Sequence, residues 1–179
     1  MYNQIIYDVV GIGFGPANIS VAIAMEEFGF KGKSLFLESN KECRWQGNML
    51  FENSDIQNHP LRDLVTPRNP RSKYSFTNFL HEHGRLFEHL NTGFSYPLRV
   101  EYAQYISWAA SHFSHIVEYN KTVVAIERVR SQDDAFNIYK VTDQNGQVFY
   151  SHIVVIAPGR SPFIPEVFEN KSTDRIFHL

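Results

Sequence analysis

Residues 5–16 read Ile5-Ile-Tyr-Asp-Val-Val-Gly-Ile-Gly-Phe-Gly-Pro16, a β-branched apolar run that meets three glycines spaced by single residues. Consecutive rather than alternating apolar positions fit a parallel strand buried on both faces, expected here over Ile5–Val10. Proline suits the first turn of a helix, where its missing N–H is not needed. From Pro16 to Phe28 the apolar residues Ile19, Ala22, Ile23 and Met25 follow a helical rather than alternating pattern. After the break at Gly29–Gly32, Ser34–Glu38 reads as a second strand closed by an acid. Strand, glycine turn, helix and strand in this order make a right-handed βαβ crossover.

The turn of this unit carries chemistry. Gly11-Ile-Gly13-Phe-Gly15-Pro16 is a G-x-G-x-x-G-like loop with proline where the third glycine usually stands. The first glycine permits the tight turn, and the second lets a pyrophosphate approach the backbone. The helix that follows offers unpaired N–H groups and the positive end of its dipole, worth about 0.3–1 kcal/mol per favourable charge. Glu38, at the end of the next strand, would accept hydrogen bonds from a ribose diol and repel a 2′-phosphate, which disfavours NADP at this loop. The alternative is a glycine turn in some other α/β protein.

The bulk composition narrows the class. The 179 residues are 43% hydrophobic and 15% aromatic, enough for a packed core. A formal net charge of −2 gives no global basic field for nucleic acid or an acidic membrane. The single cysteine, Cys43, excludes a disulfide framework and points to a reducing, cytoplasmic setting. Ile5–Val10 is too short for a signal peptide core or a membrane span, and neither is expected.

Cys43 to about Pro70 is rich in Asn, Pro and Arg without sustained periodicity, a length that favours a functional loop. Helices are expected over Ser75–Leu86 and Glu101–Phe113, the latter with Tyr102, Tyr105, Ile106 and Ala109 on one face. Strands are expected over Ile116–Val129, Ala135–Thr142 and Gln147–Ile156, the last two joined by the hairpin turn Asp143-Gln-Asn-Gly146. His81 and His83 face different ways on a helix, His112 and His115 share a face, and no cysteine or carboxylate cluster completes a metal site. Tyr102, Tyr105 and Trp108 are read as core, and Cys43 as a bystander beside the cofactor loop.

Several further blocks follow in order: Trp45-Gln-Gly-Asn-Met-Leu50, Ile56–Thr66, Arg68–Ser72, Ser75–Leu80, Gly84-Arg-Leu86 and Glu101–Trp108. With Asp8–Asn18 they resemble the motif series of the lysine/ornithine N-monooxygenases, the flavin-dependent amine N-hydroxylases of siderophore synthesis. The resemblance covers the whole chain but only the N-terminal part of such an enzyme. It implies an α/β fold: a Rossmann-like FAD-binding domain of three layers, a parallel sheet with an added β-meander, incomplete at its C-terminus. Residues 1–157 would form that portion, and residues 158–179 a connector toward an NADPH-binding domain whose site is not in this chain.

The resemblance also implies roles. FAD would contact Gly11, Gly13, Gly15, Pro16 and the loop from Glu38 to Gln46, with Trp45 and Gln57 near the flavin and the backbone of Val123 near the adenine. Arg62 stands where the family has a lysine that binds the substrate's α-carboxylate, and Gln46 replaces the family's histidine. Arginine can grip a carboxylate bidentately but repositions it, so lysine, ornithine and a diamine without a carboxylate all stay open. A surface ion pair between Arg62 and Asp63 is the alternative reading of that residue.

The implied reaction is NADPH- and O₂-dependent hydroxylation of a primary amine, with no residue of this chain acting covalently. With an ordinary pKa of about 10.4, only roughly one amine in 2,500 is neutral at pH 7, so a desolvated pocket belongs to the task. The chain alone is expected to be inactive, as a fragment or as a half that pairs with a complementary C-terminal polypeptide. A non-catalytic FAD-binding remnant, and a part of another class of flavin monooxygenase, are the alternatives.

Overall fold

The structure, a computed structural model, describes residues 5–130, 137–160 and 163–169. Strand β1 (Ile6–Ile12) enters the core apolar on successive positions and leads through the glycine turn into α1 (Pro16–Glu27), then β2 (Ser34–Leu37). β1 pairs in parallel with β2 on one side and with β6 (Val148–Ile156) on the other, Gly11 lying opposite Phe36 and Val155. Val9 and Val10 are buried at 8% and 0% exposure, as a strand flanked on both edges requires.

The described strands form one six-stranded sheet. With β3 (Val117–Glu118), β4 (Val123–Arg130) and β5 (Asn137–Asp143), the order is β3-β2-β1-β6-β5-β4. β3, β2, β1 and β6 run parallel, while β6, β5 and β4 form an antiparallel meander. Helices cover one face of β1 and β2, where Phe14, Ile19, Ile23 and Phe36 pack with Phe76, Phe79, Tyr105 and Ile106. On the other face Val10, Ile12, Leu35 and Leu37 meet Val141 and Phe149 of the meander. The three-layer arrangement expected from the resemblance is thus present. No helix among the described residues is long and apolar enough to cross a membrane.

Two expected elements are divided. The helix expected over Ser75–Leu86 is α2 (Phe76–Glu82) followed by α3 (Leu86–Asn91), because Gly84 adopts φ +69°, outside the helical basin. Ser75 caps α2 by accepting from the Asn78 N–H at 3.2 Å, a contact worth about 1 kcal/mol. The strand expected over Ile116–Val129 is β3 and β4, separated where Asn120 takes φ +58° and its N–H turns to the Asn40 carbonyl. The helix α4 (Arg99–Ser111) starts two residues before Glu101. Ala135 and Phe136 of the expected fifth strand lie outside the described residues.

The long segment between β2 and α2 contains only one short helical turn, Gly47–Met49, and is held by side chains instead of a ladder. Asp63 organises it. Its Oδ1 accepts from the N–H groups of Val65 (3.0 Å) and Thr66 (2.6 Å), and its Oδ2 from Thr66 Oγ1 (2.9 Å) and the Phe76 N–H (2.7 Å). The last contact also sets a carboxylate at the N-terminus of α2. The buried Tyr105 hydroxyl accepts from the Leu64 N–H at 3.3 Å and donates to the Tyr74 carbonyl at 2.8 Å. Asp63→Ala leaves three backbone N–H groups without their acceptor, and a loss of about 2–3 kcal/mol in unfolding free energy is expected in urea titration. A loss below about 0.5 kcal/mol would show that water replaces the carboxylate freely.

Candidate functional site

At the C-terminal ends of β1, β2 and β6 the three loop glycines meet three different surroundings. A Cβ on Gly11 would lie 2.2 Å from the Phe36 ring. A Cβ on Gly13 would lie 2.4 Å from the Ala157 carbonyl oxygen, and its φ of +80° disfavours any side chain. Gly15 differs: its φ is −87° and nothing lies within 4 Å of the point a Cβ would occupy. Glycine at 11 and 13 is therefore required by the protein's own packing, while the open space is at Gly15.

Gly15 is also the N-cap of α1. It brings no side-chain cap, Pro16 has no N–H, and the first turn carries no acid, unlike the first turns of α3 and α4. The N-terminal N–H groups of a helix lack intrahelical partners and carry the positive end of the dipole. Asn18, in the same turn and fully buried, donates from Nδ2 to the carbonyls of Ile12 (3.2 Å) and Gly13 (2.6 Å). Its Oδ1 is buried without a hydrogen-bond partner, a state that costs about 1–3 kcal/mol.

Glu38, 8% exposed, faces this loop from the end of β2. Its Oε2 accepts the Phe14 N–H at 2.7 Å, while Oε1 accepts the Asn40 N–H (2.9 Å) and Nδ2 (2.7 Å) and the Ser39 hydroxyl (3.3 Å). Oε2 keeps one acceptor position for a hydroxyl donor. The Lys121 N–H donates to the Glu38 carbonyl at 2.8 Å, which brings Val123, at the start of β4, to the same end of the sheet. The pyrophosphate and ribose of a dinucleotide fit this arrangement: open room at Gly15, an uncapped helix start, and an acid beside them.

Trp45, Gln46 and Gln57 form a second group, joined to the first through Cys43, whose thiol donates to the Phe14 carbonyl at 3.3 Å. Gln46 and Gln57 both lie in the left-handed region, at φ +47° and +51°. Non-glycine residues held there cost of order 1 kcal/mol or more and gather at functional sites. Arg99, the first residue of α4, ties the group together. It donates to Gln46 Oε1 at 2.5 Å and to the Asp55 carbonyl at 3.2 Å, and its guanidinium lies 6.0 Å from the centre of the Trp45 ring. The Asp55 carboxylate accepts the Gln57 N–H at 2.9 Å. Trp45 stands edge-on to Tyr102 at 5.4 Å.

Arg62 is exposed, and among the described residues its guanidinium has no ion-pair partner. The ion pair with Asp63 considered from the sequence is not made, because the Asp63 carboxylate is turned to backbone N–H groups and Thr66. His83 and His112 turn Nδ1 to the carbonyls four residues earlier, at 2.8 Å each.

The family model for L-lysine 6-monooxygenase/L-ornithine 5-monooxygenase matches residues 5–179. The chain belongs to this family. The L-ornithine N(5)-monooxygenase of Pseudomonas aeruginosa is 40% identical over 181 residues, covering 97% of this chain and 41% of that enzyme. The reduced ornithine hydroxylase of Pseudomonas aeruginosa superposes with a TM-score of 0.83 at 38% identity, over 95% of this chain and 43% of that one. The FAD-bound cadaverine monooxygenase of desferrioxamine biosynthesis from Erwinia amylovora gives a TM-score of 0.80 at 29% identity, over 94% and 39%. The chain thus spans about two fifths of the length of these lysine/ornithine monooxygenase relatives.

Two residues of the site and one distinction among its glycines escape a sequence reading. Arg99 is distant in sequence from the glutamine it holds, Asn18 passes for an ordinary helix residue, and the division of labour among the glycines appears only once Phe36 and Ala157 are placed. The signal for Asn18 was the amide in the first turn of a helix that lacks the usual acid. Cys43 is a packing residue in this family member. Burial first, then Glu38 and Glu42, push its thiol up to about 12, so it stays protonated at neutral pH. Alkylation of the native chain by iodoacetamide at pH 8 is expected to be slower than that of the urea-unfolded chain by two orders of magnitude or more; equal rates would remove Cys43 from the core.

Proposed function

We propose that this chain is the FAD-binding N-terminal part of an NADPH- and O₂-dependent amine N-hydroxylase of siderophore biosynthesis. The observation that carries the reading is the open Gly15 position at the uncapped start of α1, with Glu38 beside it and two strained glutamines beyond. The α1 N-terminus binds the pyrophosphate, Glu38 Oε2 accepts a ribose hydroxyl, and the Val123 backbone meets the adenine. Trp45, Gln46 and Gln57 flank the flavin. When bound and reduced by NADPH, FAD would supply the two electrons that activate O₂, one oxygen atom going to the amine and the other to water.

The exposed Arg62 guanidinium takes the α-carboxylate of an ornithine or lysine, whose side-chain amine must reach the flavin uncharged. Its freedom from Asp63 favours an amino acid over a diamine, since a diamine leaves that guanidinium idle. In an assembled enzyme, Arg62→Met is expected to raise KM for ornithine roughly ten- to a hundredfold, the weight of a charged hydrogen-bonded contact, and to leave putrescine unchanged. An unaltered ornithine KM would assign the carboxylate elsewhere.

The sequence has no second glycine fingerprint, and we assign NADPH binding to a polypeptide segment outside these 179 residues. Residues 158–179 form the connector toward it, and the chain by itself is inactive. FAD titration of the purified chain, followed by flavin fluorescence, tests both statements. Weak, reversible binding is expected, without NADPH oxidation. Gly15→Leu is expected to abolish binding at an unchanged melting temperature, because no protein atom occupies that space. Gly13→Leu instead lowers stability. Wild-type binding by Gly15→Leu overturns the assignment of the loop, and NADPH turnover by the chain alone overturns the assignment of NADPH to another segment.

A further inference from the structure

We infer that Asn18 is a positioning residue of the nucleotide loop, one that turns the loop's carbonyls away from the phosphates; this rests on the FAD reading above. A backbone that receives an anion must present N–H groups and withdraw C=O groups, because each carbonyl oxygen carries negative partial charge. In the glycine loop the carbonyls of Ile12 and Gly13 are the hazard. Asn18 Nδ2 spends both protons on them, holding the Ile12 oxygen at 3.2 Å and the Gly13 oxygen at 2.6 Å. The Ile12 oxygen also accepts the Ala157 N–H at 2.9 Å.

Two independent features support this assignment over plain packing. The third position of a helix usually takes an acid that reaches back to the cap, yet α1 has no acid in its first turn. A carboxylate there would meet the two carbonyls and the phosphates with like charge, whereas the amide brings donors without a net charge. Second, Asn18 Oδ1 is fully buried and without a partner. An apolar residue would remove the orphaned Oδ1 but release the Gly13 carbonyl from its donor, so the position exchanges a satisfied side-chain oxygen for a restrained loop carbonyl. The unsatisfied oxygen accompanies the NH₂ group that the loop needs.

The test uses Asn18→Leu and Asn18→Asp in the full chain, each read in two ways. Amide hydrogen exchange of the cofactor-free protein is expected to be tenfold or more faster at Gly13, Phe14 and Gly15 in Asn18→Leu, with the second half of α1 unchanged. FAD affinity is expected to fall at least tenfold while the melting temperature stays within a few degrees of wild type. For Asn18→Asp, FAD affinity is expected to be poor at pH 8 and to recover on acidification, since a protonated carboxyl regains one donor toward the carbonyls. That arm decides the matter if Asn18→Leu fails to fold. Unchanged exchange at 13–15 overturns the inference whether or not FAD binds, as does a fall in melting temperature with unchanged FAD affinity. Failure of the wild-type chain to bind FAD counts against the function proposed above and leaves the exchange result to judge Asn18.

Discussion

A buried carboxylate, Glu38, holds the functional end of the molecule together. Burial of a charge is tolerated only when donors replace its water, and here the donors come from the glycine loop and from the segment just after β2. Its backbone adds two further links, donating to the Glu118 carbonyl at 2.9 Å and accepting from Lys121 at 2.8 Å. One residue thus joins the glycine turn, the edge strand β3 and the entry to the meander. The relative positions of Gly15, Asn40 and Val123 all follow from it.

The second group of the site is built on another principle. Trp45, Gln46 and Gln57 sit on a segment with almost no regular hydrogen bonding, so their placement depends on Arg99 and on aromatic contacts with α4. A cation in the first turn of a helix opposes the helix dipole. Its two acceptors and the Trp45 ring offset that opposition, and Glu101, two residues on, adds the acid the helix start favours. The arginine is therefore a tie between loops that otherwise share no backbone ladder beyond the isolated bridge of Asp55 with Leu98.

The βαβ unit was legible because β1 and α1 have different apolar periodicities with glycines between them, and both boundaries fell within two residues. The meander was legible through its hairpin turn, where Asp143 Oδ1 accepts the N–H groups of Asn145 and Gln147 at 2.9 and 2.8 Å. The division of the helix at Gly84 and of the strand at Asn120 was not. Each depends on a single residue of positive φ whose preference is weak until tertiary contacts fix it. At the site, the loop and Glu38 were visible as a pattern, whereas Asn18 and Arg99 act across space and have no periodicity to betray them. Asp63 changed most in kind: considered from the sequence as a partner for Arg62, it proved to be an organiser of the backbone.

The approach of Gly13 to Ala157 has a mechanical side. With the Ala157 N–H bonded to Ile12 and no clearance at Gly13, the end of β6 and the glycine turn form one closely packed joint. The segment Ala157-Pro158-Gly159 leaves from that joint: Pro158 still lies against Gly13, and Gly159, at φ +82° with nothing near its Cβ position, is the first residue clear of it. The path of the chain as far as Pro158 is therefore set by the same contact that shapes the glycine turn, so a change in one is felt in the other.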